Sequence, residues 1–285
     1  MSLIQTIRKS INDQQRAKLV FAGSLVVFEN LDAMSELVDF ARELVTLYFD
    51  CDQPQKVHKQ TSREQFLHIA HDAQEEFRTS KQANELLIRC LEQTGVNLNS
   101  CYRDKFVLRI LPPVDSHSGG RHSSTHVHRD TWGSNIHQQI NWWAPIYPLQ
   151  NENTLAIYPT QWQKPIANNT ETWSFAEVKC DRKQTPPHLS GKVPTAPVAT
   201  SEVDKHKEIR VLINPGSLLC FSGAHLHGGL ENTTDQTRLS IETRTINIED
   251  ITQDRSAPNI DCHATHRHPQ WFRHAIDNTN LTNAI

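Results

Sequence analysis

The sequence has little of what would settle its class at a glance. Charge of one sign is missing: 29 Lys and Arg stand against 32 Asp and Glu, for a net charge of -3. That leaves no basic face of the kind a nucleic-acid footprint requires. No apolar run approaches the roughly 18 residues that suggest a membrane helix. The opening MSLIQTIRKSINDQQ lacks the apolar stretch of a secretory signal. The six cysteines, at 51, 90, 101, 180, 220 and 262, form no CxxC pair. Without a secretion signal they read as reduced thiols, and a cytoplasmic location is expected. The Asn-x-Thr sequence at Asn232 then carries no consequence for glycosylation. There is no internal repeat, and no feature for binding an acyl carrier or coenzyme A is visible. With 37% hydrophobic and 21% charged residues, the chain is too apolar to be disordered. Its 285 residues fit one large domain or one domain with a helical annex.

What is present divides in two. Up to about residue 100 the chain reads as helical support. Leu31, Met34, Leu37, Val38, Ala41, Leu44, Val45 and Tyr48 follow the three-and-four spacing of one buried helix face. Ser62 and Gln65 form a capping box before a second stripe, Phe66, Ile69, Ala70, Ala73 and Phe77. A third stripe, Ala83, Leu86, Leu87, Cys90 and Leu91, stops at Gly95. From about 101 to 250 the pattern turns to short strands punctuated by Pro and Gly: KFVLRILPP, HQQINWWAPIYP, TLAIYP, EIRVLINPGSLLCFSGAHLHGG and TRLSIETRTINIED. Such spacing predicts a sandwich or barrel. The expected fold is mainly β, with an N-terminal helical layer packed on it and a C-terminal tail over 251–285. Residues 163 to about 205, with five prolines and little periodicity, read either as a surface excursion or as an active-site lid.

The stretch THVHRDTWGS places His126, His128 and Asp130 at alternate positions. On a strand these share one face, so His128 and Asp130 can offer an imidazole and a carboxylate to one point. A third ligand would come from SGAHLHGG, which holds His225 and His227. Two histidines and one carboxylate leave three positions open on an octahedral ion, the facial triad of non-haem Fe(II) oxygenases. A closed four-ligand site would not admit that chemistry. His-x-Asp alone is common by chance, and a polar strand is the blander account. Further on, Arg238 on the next strand can grip a carboxylate with both arms of its guanidinium. The order, His-x-Asp early and His…Arg late, suits neighbouring strands of a jelly roll.

HRD at 128–130 followed by HGGLENTTDQTR at 227–238 resembles the phytanoyl-CoA dioxygenase-like branch of the Fe(II)/2-oxoglutarate oxygenases. The late motif of that family has His, Asn five residues on, Arg eleven on, and Ser after one more residue. His227, Asn232, Arg238 and Ser240 fit it, and the likeness spans about residues 103 to 248. It implies a double-stranded β-helix (jelly-roll, cupin-like) barrel in which His128, Asp130 and His227 hold Fe(II). Arg238, assisted by Ser240, would bind the distal carboxylate of 2-oxoglutarate, with O2 as the second co-substrate. It also selects His128 and His227 over His126 and His225. Those two remain as supporting, substrate-side or plain structural histidines. Halogenases of the family replace the carboxylate with a small residue, so Asp130 argues against halogenation.

Other polar residues fall around these. Gln139 and Asn141 alternate on the strand after the Trp-Gly turn; they would line the co-substrate or substrate pocket, or bond within the fold. Arg109 would meet an anionic substrate or lie exposed. Trp132, just past the ligands, would wall the pocket, with Trp142 and Trp143 as core or rim packing. The tail sequence DCHATHRHPQWFRH lacks the second cysteine and the paired spacing of a zinc site, and a polar tail packed on the barrel is expected. The resemblance implies hydroxylation, oxidative dealkylation or desaturation of a polar small molecule in specialised metabolism. Tailoring of mycosporine-like amino acids is one family role, which the residues do not single out. No nucleic acid or membrane partner is expected, and homo-oligomerisation stays open. Two alternatives survive at this level. One is a cupin-like metalloenzyme that uses His126, His128 and a late histidine without 2-oxoglutarate. The other is a jelly-roll binding module with no metal.

Overall fold

The helical stripes fold where their spacing puts them. In the computed structural model, which describes residues 3–117, 126–185 and 196–285, α1 covers Asp13–Val20, α2 Asp32–Phe49, α3 Arg63–Thr79 and α4 Lys81–Gln93. Ser62 caps α3 by accepting from the Gln65 N–H at 3.2 Å. Past the end of α4, Gly95 sits at φ +89, and a Cβ there would run into the Ile11 carbonyl oxygen. Only glycine tolerates that combination of hand and closeness. The apolar faces of α2, α3 and α4 pack into one cluster with the adjacent sheet.

Eleven strands are named among the described residues: β1 (Ile4–Ile7), β2 (Leu25–Phe28), β3 (Cys101–Arg103), β4 (Val107–Leu111), β5 (Ile140–Pro145), β6 (Leu155–Ile157), β7 (Ile209–Val211), β8 (Leu218–Ser222), β9 (His227–Gly229), β10 (Arg238–Asn247) and β11 (Arg273–His274). They form two sheets. The large one runs β1-β2-β8-β5-β10-β3-β11 with β4 also on β10, and the small one runs β7-β6-β9. The strands alternate between two cores. Val26, Phe28, Ile140, Trp142, Ala144, Leu218 and Cys220 face the helices. Leu25, Val27, Trp143, Leu219 and Phe221 face Leu155, Ile157 and Val211 of the small sheet. Two sheets packed face to face, one backed by helices, make the jelly-roll barrel with its N-terminal helical layer. Burying each large side chain here contributes about 1.5–3 kcal/mol.

Three features differ from the sequence expectation. The first hundred residues are not all helix: β1 and β2 join the large sheet, β1 parallel to β2 and β2 antiparallel to β8. All four residues of β2 are buried, because both faces of the large sheet are covered. Its Leu-Val-Val-Phe therefore shows no alternation to betray it. The excursion over 163–205 contains a helix, α6 (Phe175–Gln184), capped by Ser174; residues 186–195 of it lie outside the described residues. The tail is tied to the fold rather than laid on it: β11 pairs with β3, and the buried Asp261 pairs with Arg129. No helix among the described residues is long and apolar enough to cross a membrane.

Candidate active site

The interior between the sheets carries a polar stripe set by strand periodicity. On β10, Leu239 and Ile241 face the helical layer, so Arg238, Ser240, Glu242 and Arg244 point into the barrel. Their register partners Leu111 and Arg109 on β4, and Trp143 and Asn141 on β5, share that face.

At one end of the stripe His128, Asp130 and His227 converge, with one ligand atom from each lying within 4.8 Å of the others. The local structure differs from the alternating strand the sequence suggested. His128 forms an isolated antiparallel bridge with His227, and Asp130 opens a short helix, α5 (Asp130–Ser134). The two histidines are oriented alike. His128 Nδ1 lies 2.7 Å from the His126 carbonyl oxygen, and His227 Nδ1 lies 2.9 Å from that of His225. A carbonyl can only accept, so both rings carry a proton on Nδ1 and turn Nε2 inward. Those Nε2 atoms lie 3.8 Å and 3.4 Å from Asp130 oxygens.

The charge state suits a cation. Burial and the neighbouring His227 push the His128 pKa down to about 4, so it is a neutral ligand near neutral pH. Burial alone would raise the Asp130 carboxyl, but His227, Arg244 and His128 outweigh it and hold it well below the usual carboxylate range. Asn141 Nδ2 donates to Asp130 Oδ2 at 2.5 Å, and Arg244 Nη1 donates to Oδ1 at 3.1 Å. Gln139 Nε2 in turn donates to Asn141 Oδ1 at 3.1 Å, which aims the Asn141 amide nitrogen at the carboxylate. Gln139 and Asn141 thus stand behind Asp130, and Gln139 Oε1 is buried with no partner among the described residues.

At the other end stands Arg238, 5% exposed. Its Nη1 donates to the Thr154 carbonyl at 3.0 Å, while among the described residues its Nε has no partner, and neither has Ser240 Oγ. Burial and the nearby Arg109 press the guanidinium pKa down to about 10, with Glu242 partly offsetting them. A buried cation lacking a carboxylate partner is costly unless one arrives. Asn232 builds the turn that delivers Arg238: its Nδ2 donates to the Leu111 and Gln236 carbonyls at 3.0 and 2.7 Å.

The remaining candidates fall elsewhere. Arg109 is held by Glu242, its Nε donating at 2.6 Å. His126 is exposed, and its carbonyl, not its ring, serves the site. His225 is buried against Trp162, ring centroids 4.3 Å apart, with its nitrogens on the Gly23 and Ser222 carbonyls at 3.1 and 3.2 Å. Both ring nitrogens lie against main-chain carbonyls, and the neutral ring can donate to only one of them. Trp132 is wholly buried and donates to Asp261 at 2.7 Å, so it is core rather than pocket wall. Arg244, which pairs with Asp104 beneath the ring of Trp271, was missed by sequence reasoning together with those two partners. The alternation of RLSIETR, which puts Arg244 in line with Arg238 and Ser240, was the signal available.

No family model and no curated protein sequence matches the chain. Among solved structures, it is similar to EvdO2 from Micromonospora carbonacea var. aurantiaca complexed with 2-oxoglutarate, at 14% identity over 84% of this chain and 92% of that one, TM-score 0.47. EctD from S. alaskensis with 2-oxoglutarate and 5-hydroxyectoine matches at 11% identity over 84% and 77%, TM-score 0.44. The non-heme alpha ketoglutarate dependent carbocyclase SnoK from nogalamycin biosynthesis matches at 14% identity over 91% and 95%, TM-score 0.41.

Proposed function

We propose that the chain is a non-haem oxygenase that holds Fe(II) through His128, Asp130 and His227 and takes 2-oxoglutarate and O2 as co-substrates. The observation that carries this reading is the pairing of two sites on one interior face. A two-histidine, one-carboxylate set stands at one end, and Arg238 with its unmatched Nε stands at the other. A cupin-like metalloenzyme without a dicarboxylate leaves that buried arginine unexplained.

The donor set fits the metal: two imidazole nitrogens and one carboxylate oxygen suit Fe(II) and leave three positions open. Charge supports the co-substrate. The named interior side chains are three cations, Arg109, Arg238 and Arg244, and three anions, Asp104, Asp130 and Glu242. A divalent metal alone would leave two positive charges in excess, and a dianion such as 2-oxoglutarate restores neutrality. When bound, the iron would activate O2, the oxidant, for attack on a substrate C–H bond, with 2-oxoglutarate supplying the two further electrons and leaving as succinate and CO2.

The chain's own residues then divide the remaining work. Arg238 and Ser240 hold the distal carboxylate of the co-substrate and fix its register along β10. Asn141 and Gln139 keep the Asp130 carboxylate turned inward. Trp143 and Phe221, whose ring centroid lies 5.2 Å from that of His227, exclude water from the interior. The substrate is a polar small molecule of specialised metabolism, hydroxylated, dealkylated or desaturated according to which hydrogen it presents. The retained Asp130 disfavours halogenation.

The test is turnover of 2-oxoglutarate. Protein reconstituted with Fe(II) and given 2-oxoglutarate in air should release succinate slowly without a substrate, and faster when a library of polar metabolites contains the right one. Iron-loaded protein that never forms succinate above the level of Asp130→Ala would refute the reading.

A further inference from the structure

Asp130 is the most heavily supported of the three ligands, and the two supports differ in kind. Asn141 offers Oδ2 a neutral donor, while Arg244 offers Oδ1 a charged one. Arg244 and Asn141 are register partners on β10 and β5, so the two donors reach one carboxylate from adjacent strands. The second arm of Arg244 is not idle. Its Nη2 pairs with Asp104, whose own N–H donates to the Arg244 carbonyl at 2.9 Å. Trp271 covers the guanidinium, with Cζ 5.8 Å from the ring centroid. Trp271 packs in turn on Phe175 of α6, centroids 5.0 Å apart. Arg244 is thus clamped between two carboxylates beneath an aromatic lid side chain from the tail.

We propose that Arg244 is a positioning residue that makes Asp130 a one-oxygen metal ligand. The proposal rests on the metal reading given above. A hydrogen bond from an ionised donor is roughly twice as strong as a neutral one, so Arg244 withdraws charge from Oδ1. Oδ2, the oxygen 3.4 Å from His227 Nε2, is left as the better donor. The consequence is a matter of counting positions. Two histidines and one carboxylate oxygen use three of six, a chelating keto acid uses two more, and one stays open. Were Asp130 to bind through both oxygens, the sixth would be filled and a diatomic could not enter.

Nitric oxide, a neutral diatomic, probes that sixth position without turnover. Wild type, Arg244→Met and Arg244→Lys would be loaded anaerobically with Fe(II) and 2-oxoglutarate. Loading would be read from the visible chelate band, and nitric oxide titrated by its half-integer-spin EPR signal. Both variants should keep the chelate band while nitric oxide affinity falls about tenfold or more, the size typical of residues that orient metal ligands. Arg244→Lys keeps the buried charge but cannot serve Asp104 and Asp130 at once. It should fall between the others, and it decides the matter if the methionine variant does not fold. Unchanged nitric oxide affinity in the loaded variants would overturn the proposal. So would loss of Fe(II), 2-oxoglutarate and thermal stability in step with unchanged nitric oxide binding by the loaded fraction. A wild type that binds Fe(II) but shows no chelate band would instead remove the oxygenase reading.

Discussion

His128 and His227 face each other across a reciprocal pair of backbone hydrogen bonds, each N–H donating to the other's carbonyl at 2.9 Å, with ring centroids 4.5 Å apart. Their spacing is set by main chain, since residues paired in this way have Cα atoms about 5.5 Å apart whatever lies between the rings. The site is therefore built before any metal arrives. Removing metal with a chelator should leave the far-UV circular dichroism unchanged. Adding Fe(II) or Mn(II) should raise the melting temperature only by mass action, by an amount that grows with metal concentration. Loss of β-sheet signal on chelation would show that the metal organises the barrel.

Arg238 is a group whose function conflicts with stability. Buried and short of a carboxylate, it weakens the empty protein. Arg238→Met should leave the stability of the metal-free protein unchanged or raised, by up to about 2 kcal/mol. Metal affinity should hold. Affinity for 2-oxoglutarate should fall by about 2–5 kcal/mol, the cost of losing one partner of a buried charge pair. Calorimetric titration of both ligands separates these effects, and equal loss of both would contradict the assignment.

Two glycines near the site should respond in opposite ways. A Cβ on Gly223 would lie 2.9 Å from Gln139 Nε2 and 3.2 Å from its Cδ. Gln139 is fully buried, so its side chain has nowhere to go. Gly223→Ala should displace it, release Asn141 from Asp130 and weaken metal binding about tenfold, with a stability cost of about 1–3 kcal/mol. A Cβ on Gly133 meets Trp271 at 3.4 Å, an ordinary contact within α5. Gly133→Ala should be neutral or slightly stabilising. Equal metal affinities for the two variants would break the chain from Gln139 to Asp130.

Acid should weaken the fold through His137. Both its ring nitrogens are buried without a partner among the described residues, and burial, with help from Arg267, pushes its pKa from 6.5 down to about 4. Between those values the unfolded chain takes up the proton and the folded one refuses it. The stability from keeping this ring neutral is therefore full above about pH 6.5 and is lost as pH falls toward about 4. His137→Phe should flatten the fall in melting temperature over that window. An unchanged slope would place the acid sensitivity elsewhere.

Legibility in the sequence followed periodicity. The stripes of α2, α3 and α4 were plain because each buries one face only. The strand TRLSIETRTIN was plain because its two faces differ, apolar toward the helices and charged toward the interior. Leu-Val-Val-Phe of β2 was not, since a strand buried on both faces carries no alternation. Asp130 could be named but not placed: spacing alone put it on a strand, whereas it starts a helix whose first turn turns the carboxylate toward the histidines. His225 shows the reverse. It looks like a ligand in sequence, but its ring nitrogens lie against the Gly23 and Ser222 carbonyls, and the Gly23 contact spans 202 residues that no local pattern reports. The contacts of Arg244 with Asp104 and Trp271 were hidden for the same reason.

The most direct test of the central claim is the anaerobic visible spectrum of the apo-protein on adding Fe(II) and then 2-oxoglutarate, repeated with Asp130→Ala and Arg238→Met. A weak charge-transfer band that requires both additions, is lost in Asp130→Ala and needs much more 2-oxoglutarate in Arg238→Met is the predicted result. Stoichiometric iron binding with no band at saturating 2-oxoglutarate would contradict it, leaving a metalloprotein whose buried arginine serves some other acid.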